Sequence, residues 1–191
     1  MKELILASRS KARKKMLAQL GLRFRVLAPR IDESLGGCRS YRQLTIENAV
    51  HKARDVSYRI NRGVIIAADT VVVLKKQILG KPRTLTCAVA TLKKLSRTPH
   101  WVYTGIAVLD VDRNRCFSAC EKTKVYMRPL NDIQIKRYFK KVSPMDKAGG
   151  FAIQGIGGVF IQRIEGCYYN VVGLPLAHLA KLLMKAGVEI I

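Results

Sequence analysis

Val64-Ile-Ile-Ala-Ala-Asp69-Thr-Val-Val-Val73 is the most apolar run of the chain, and a single carboxylate, Asp69, interrupts it. A short run this rich in β-branched residues reads as a central strand buried on both faces. A carboxylate in such a strand is costly unless it is paired, hydrogen-bonded or bound to a metal. Groups that could meet it must come from the flanking sequence.

Upstream, Leu4 to Ala7 reads as a short strand that runs through Ser8-Arg9-Ser10 into a helix. The helix has Met16, Leu17 and Leu20 on its apolar face and Gly21 as its stop. Ser8 or Ser10 can cap its N-terminus. The pattern suits an ordinary capped helix with a solvated basic face (Lys11, Arg13, Lys14, Lys15). It equally suits a phosphate site, because a helix start offers free N–H groups and positive dipole. Arg23 to Leu27 reads as a second strand leading to Asp32-Glu33, and Gly36-Gly37 breaks the chain before a long helix from Gln43 to Ile60. Its apolar stripe is Ala49, Val50, Ala53, Val56 and Ile60; Glu47 and Lys52 fall off that stripe and read as solvent-exposed.

Downstream, Leu74 to Leu79 reads as a hairpin return with its tip at Lys75-Lys76, and Gly80-Lys81-Pro82 is held extended by the proline. Thr84 opens a helix to Leu95 that turns Leu85, Ala88, Val89, Leu92 and Leu95 inward. Trp101 to Val111 and Cys116 to Met127 form a hairpin, and Asn131 with Gln134 makes a capping box for a helix carrying Ile135, Tyr138 and Phe139. Five of the 14 glycines fall between Gly149 and Gly158, beside Asp146, Lys147 and Gln154, which implies tight turning or close approach to a ligand. Val159 to Ile164 and Tyr169 to Val172 read as a final hairpin around Glu165-Gly166. The last helix starts at Gly173-Leu174-Pro175 and packs Leu176, Leu179, Leu182 and Leu183 inward as far as Gly187. Strands and helices interleave throughout, the mark of a mixed α/β fold.

Lys and Arg number 35 against 13 Asp and Glu, a formal charge of +22 that favours polyanionic partners. The cations run from Lys2 to Lys185, so they form no basic tail. The five cysteines (Cys38, Cys87, Cys116, Cys120, Cys167) include no Cys-x-x-Cys pair, which argues against a zinc site or a disulfide framework and for a reducing cytosol. The N-terminus does not read as a signal peptide, and no apolar stretch approaches the roughly 20 residues of a membrane span. A cytoplasmic protein without membrane contact is expected. Neither a P-loop nor a Gly-x-Gly-x-x-Gly turn follows a strand, and His51, His100 and His178 lack metal-ligand spacing. What remains is carboxylates with serines, lysines and glycines, a set suited to metal-assisted handling of phosphates.

The ordered motifs now carry a resemblance. Leu4-Ile5-Leu6-Ala7-Ser8-x-Ser10, Asp32-Glu33, Lys52-Ala53, Ala68-Asp69-Thr70-Val71-Val72, Gly80-Lys81-Pro82 and Leu95-Ser96 come first. Tyr103-Thr104-Gly105, Asp146-Lys147-Ala148-Gly149, Ile153-Gln154-Gly155 and Asn170-Val171-Val172-Gly173-Leu174-Pro175 follow. Together they closely resemble the Maf family of nucleoside triphosphate pyrophosphatases, historically linked to septum formation. The resemblance implies a single Maf-like domain over residues 1–191. It also implies a mixed central sheet flanked by helices, in two lobes with a cleft, similar to inosine triphosphate pyrophosphatases. The implied enzyme is often a homodimer, hydrolyses a nucleoside triphosphate to monophosphate and pyrophosphate, and uses a divalent cation, Mg2+ or Mn2+.

The resemblance assigns roles by position. Asp69 aligns with the family's proton acceptor. Ser8, Ser10, Arg13, Lys52 and Lys81 are the candidates for balancing triphosphate charge. Glu33 and Asp69 are the first choices for metal ligands, ahead of Glu47 and Asp146. Thr70 and Gln154 match the subgroup acting on dTTP and UTP. The first helix departs from that subgroup: Ser10-Lys11-Ala12-Arg13 stands where it carries Ser-Pro-Arg-Arg, and a lysine cannot reproduce the planar fork of the missing arginine. Gly150-Phe151-Ala152 replaces the family's common Ala-Tyr-Gly, with loss of a hydroxyl. The competing expectation is a basic nucleic-acid-binding or regulatory protein of the same fold, motivated by the charge, with nucleic acid otherwise a secondary partner.

Overall fold

The computed structural model describes residues 2–31 and 40–190. Its strands are β1 (Leu4–Ala7), β2 (Phe24–Val26), β3 (Val64–Leu74), β4 (Gln77–Leu79), β5 (His100–Asp110), β6 (Arg115–Met127) and β7 (Ile161–Glu165). The helices are α1 (Lys11–Gln19), α2 (Tyr41–Ser57), α3 (Leu85–Leu95), α4 (Asp132–Phe139), α5 (Tyr168–Val172) and α6 (Leu176–Lys185). The strands make one sheet in the order β2-β1-β3-β5-β6-β7, with β4 beside β3. β1 runs parallel to β2 and β3, whereas β4 is antiparallel to β3 and β7 to β6, so the sheet is mixed as expected.

The chain divides into two compact units, one of Met1–Asp69, Thr104–Glu121 and Gly173–Ile191, the other of Thr70–Tyr103 and Lys122–Val172. In the first, Ala49, Ala53 and Val56 of α2 pack with Ile5, Ala7, Ile65, Ala67, Ala107 and Leu109 of the sheet. Alanines on both surfaces let helix and strands approach closely. Gly105 serves the same end: a Cβ there would lie within the backbone of Thr45. In the second, Leu92 and Leu95 of α3 and Ile135 and Tyr138 of α4 pack with Val72, Val102, Val125, Met127, Phe151 and Phe160.

Local signals place most elements where the sequence expects them. Ser10, Ser40, Thr84 and Asn131 cap α1, α2, α3 and α4, and the Asn131–Gln134 capping box is complete. Lys75 and Lys76 turn the β3–β4 hairpin with positive φ angles of 47° and 67°. Leu85 corrects the expectation for α3. As the first residue of the helix it is 57% exposed.

The final hairpin is also corrected. β7 pairs with β6, but Tyr168–Val172 is a helix, although its composition favours a strand. Tertiary contacts override that preference. Thr123 Oγ1 accepts from the Cys167 N–H and donates to the Cys167 carbonyl, both at 3.0 Å. Asn170, fully buried, donates from Nδ2 to Thr123 Oγ1 at 2.9 Å and to the Val102 carbonyl at 3.0 Å.

The glycine-rich segment is structured: tight helical turns form at Ala148–Gly150 and Gly155–Phe160. Gly149 and Gly150 take φ angles of 69° and 73°, the left-handed region that glycine tolerates. Tyr138 Oη accepts from the Ala152 N–H at 3.0 Å.

Candidate active site

β1 lies between β2 and β3, so the chain leaves its C-terminal end for one neighbour and later returns on the other side. The carboxyl ends of parallel strands at such a reversal are the usual place for a ligand in open α/β sheets. The register pairs Ala7, the last residue of β1, with Ala67, so Ser8 follows β1 where Ala68 continues β3.

Beyond β1, Ser10 Oγ accepts from the Arg13 N–H at 3.4 Å, and the Ser10 N–H donates to the buried Ser8 Oγ at 3.2 Å. The Arg13 guanidinium joins this turn to two other segments. Nη1 donates to Ser8 Oγ at 3.2 Å and to the Ala68 carbonyl at 2.9 Å, and Nε donates to the Gly173 carbonyl at 2.7 Å. Arg13 therefore spends donors on fixing the backbone around the end of β3.

Alternation along β3 decides where Asp69 points. Ile65, Ala67 and Asp69 share one side of the strand, and the first two already pack with α2. The carboxylate thus faces the same helix, where Lys52 Nζ donates to Oδ1 at 2.6 Å and Asn48 Nδ2 donates to Oδ2 at 3.0 Å. Lys52 Nζ also reaches the Ala68 carbonyl at 3.4 Å. The pair is closed from solvent, with side-chain exposures of 7% for Lys52 and 4% for Asp69.

Lys52 is thus buried where the sequence pattern read it as exposed. The buried positions of α2 include Thr45, Asn48, Ala49, Lys52, Ala53 and Val56, a complete helical stripe in which polar side chains occupy three of the inward places. A stripe defined by hydrophobicity skips Asn48 for the same reason. The signal that finds both is their spacing, one turn apart and each one residue before a buried alanine.

Thr70 follows Asp69 and is the one half-buried residue in the otherwise buried strand β3. Lys81 is exposed, on a segment tied to the glycine turn by the Gly149 N–H, which donates to the Gly80 carbonyl at 3.2 Å. Gln154 is half-buried at the start of the second tight turn. Glu47 accepts from Gln43 Nε2 at 2.8 Å, and the exposed Asp146 pairs with Lys147. Phe151 is buried edge-on to His100 with ring centroids 5.4 Å apart, so its ring belongs to the core. Glu33 lies outside the described residues.

Among the described residues no cluster of three His, Cys, Asp or Glu could hold a metal. The donor set still fits a cation such as Mg2+, which keeps several waters and is held by one or two carboxylates together with substrate phosphates. Lys52 and Asn48 take two of the roughly four acceptor positions of the Asp69 carboxylate.

A model of the Maf family, described as Maf-like protein, matches residues 3–186. The chain belongs to the Maf family. This Maf chain is 43% identical over 191 residues to a dTTP/UTP pyrophosphatase of Pelotomaculum thermopropionicum, with 100% of each chain covered. It is also 43% identical over 191 residues to a dTTP/UTP pyrophosphatase of Methanosarcina barkeri, covering 100% of the Maf chain and 97% of the relative. Among solved structures, a HAM1 protein from Coxiella burnetii superposes on it with a TM-score of 0.48 and 16% identity, over 66% of this chain and 73% of that one.

Proposed function

We propose that this chain hydrolyses nucleoside triphosphates, with dTTP and UTP as its substrates, to the monophosphate and pyrophosphate. Water attacks the α-phosphorus, the bond to the oxygen bridging α and β breaks, and pyrophosphate leaves. The observation that carries the reading is the buried Asp69, held by Lys52 and Asn48 in a chain that aligns end to end with relatives named for this activity.

Asp69 is the proton acceptor for the attacking water. Lys52 and Asn48 fix its orientation, so that neither carboxylate oxygen has to be reorganised during the reaction. Ser8, Ser10 and Lys81 balance the charge of the triphosphate, while Arg13 and Lys52 hold the backbone and the carboxylate beside it. Thr70 and Gln154 select the base. Asp69 and Glu33 are the proposed ligands of Mg2+ or Mn2+, which when bound would neutralise phosphate charge and lower the pKa of water. The same reading makes the enzyme a cytoplasmic homodimer.

The test is a panel of canonical and modified nucleoside triphosphates, assayed separately for pyrophosphate and orthophosphate. Pyrophosphate release from dTTP and UTP, lost in Asp69→Asn with an unchanged fold, is the expected result. Release of orthophosphate and diphosphate, or full turnover by Asp69→Asn, sinks it.

A further inference from the structure

Strands β5, β6 and β7 carry an alternating series of cations and aromatic rings, none of them among the residues proposed for the reaction. Lys122 Nζ stands 5.2 Å from the ring centroid of Trp101. Lys124 Nζ stands 5.6 Å from Trp101 and 5.2 Å from Tyr126, and the Arg163 guanidinium carbon lies 3.8 Å from the Tyr126 centroid. The register sets Lys124 opposite Glu165 and Tyr126 opposite Arg163. Lys122, Lys124 and Tyr126 alternate with the buried Thr123 and Val125, so the series occupies the side of β6 away from the core. Lys122, Arg163 and Glu165 are exposed, while Trp101, Lys124 and Tyr126 are half-buried.

We propose that this face binds single-stranded nucleic acid. Three cations against one acid leave a charge of +2 on the face, within a chain of +22. Glu165 accepts from Tyr126 Oη at 2.9 Å and pairs with Arg163, so it helps hold the guanidinium over the ring. Charge alone would protect the outermost strand β7 from pairing with another chain, and it would need no aromatic partners. Here cations and rings alternate across three strands, and non-specific binding of single strands needs that combination: positive charge to follow the phosphates and π surfaces on which bases stack. The guanidinium plane on Tyr126 is itself a stacking surface for a base. Lys122 to Tyr126 extends roughly 14 Å along one strand, the scale of a short oligonucleotide rather than of one base.

Trp101 is the chain's one tryptophan, which makes the face its own reporter. The full-length chain is titrated with a short oligouridylate bearing hydroxyl ends while tryptophan emission is followed. Saturable quenching is expected, with log affinity falling against log salt with a slope of about −2, as for three phosphate contacts to a single strand. Tyr126→Leu and Lys124→Gln should each weaken binding about tenfold and leave pyrophosphate release unchanged. The wild-type titration needs no variant, so the proposal stays testable if either substitution disturbs folding. Absence of quenching at low salt overturns it. Equal displacement of the oligonucleotide by poly-glutamate would show charge without stacking, and displacement by dTTP would assign the face to the mononucleotide; either outcome also overturns it.

Discussion

Replacing Lys52 by Met tests whether Lys52 and Asp69 form an energetically coupled buried pair. The two groups are 2.6 Å apart with side-chain exposures of 7% and 4%, so neither can turn to solvent without opening the helix from the sheet. Removing one partner of a buried pair costs about 3–5 kcal/mol, because the other charge is left without compensation. The Asn48 hydrogen bond survives in Lys52→Met and offsets part of this, which puts the expected loss near the lower bound, about 3 kcal/mol. In a chain of 191 residues that corresponds to a fall in Tm of roughly 6–12 °C. Asp69→Asn, which strands the ammonium, should cost a similar amount. The double variant removes both charges and should cost much less than the sum, leaving a coupling of about 2–3 kcal/mol. Urea unfolding of the four proteins at pH 7 measures it, with the slope against urea checked for constancy. Additive losses, or a loss below about 1 kcal/mol for Lys52→Met as in an exposed pair, refute the argument.

Asn48→Ala should lower kcat about tenfold with little change in KM, because it releases Oδ2 of the Asp69 carboxylate while Lys52 still holds Oδ1; steady-state kinetics with dTTP decides, and an effect confined to KM contradicts it. Gly105→Ala would drive a Cβ into the backbone of Thr45 and should cost at least about 2 kcal/mol in urea unfolding, since backbone cannot yield as a flexible side chain can. His100 is fully buried, and burial pushes its pKa down to about 4 from 6.5. Below 6.5 the unfolded chain takes up a proton that the native protein refuses, so stability falls as pH drops from 6.5 to 4, by about 3 kcal/mol in all. His100→Leu should flatten the dependence of Tm on pH in that window, and an unchanged profile counts against burial as the cause. Chelation with EDTA should abolish pyrophosphate release, and Mg2+ or Mn2+ should restore it; activity that persists in chelator removes the cation from the reaction.

Elements written in local signals were legible in the sequence. Capping residues, the Lys75-Lys76 hairpin tip and the buried run of β3 depend on neighbours in the chain, and each stands where the residues imply. Tertiary context decided the rest. Tyr168–Val172 has strand composition, yet the side chains of Thr123 and Asn170 meet across 47 residues of sequence and hold it as a helix. Lys52 reads as a surface lysine until its helix is laid on β3, where the one carboxylate of that strand waits for it. The cost of burying Asp69 was readable in advance, whereas the identity of its partner depended on the register of α2 over the sheet.

Position 12 is Ala where the dTTP and UTP subgroup carries an arginine, so α1 brings a single guanidinium to the end of β1. That guanidinium donates to the carbonyls of Ala68 and Gly173 and to Ser8 Oγ, joining segments far apart in the chain. A planar fork with several fixed donors can hold three acceptors at once; a lysine, with donors on one atom, cannot hold the same separation. The pattern therefore ranks the basic residues of this turn by rigidity as well as by charge. Arg13 shapes the backbone around Asp69, while Lys11, exposed on α1, supplies charge without geometry.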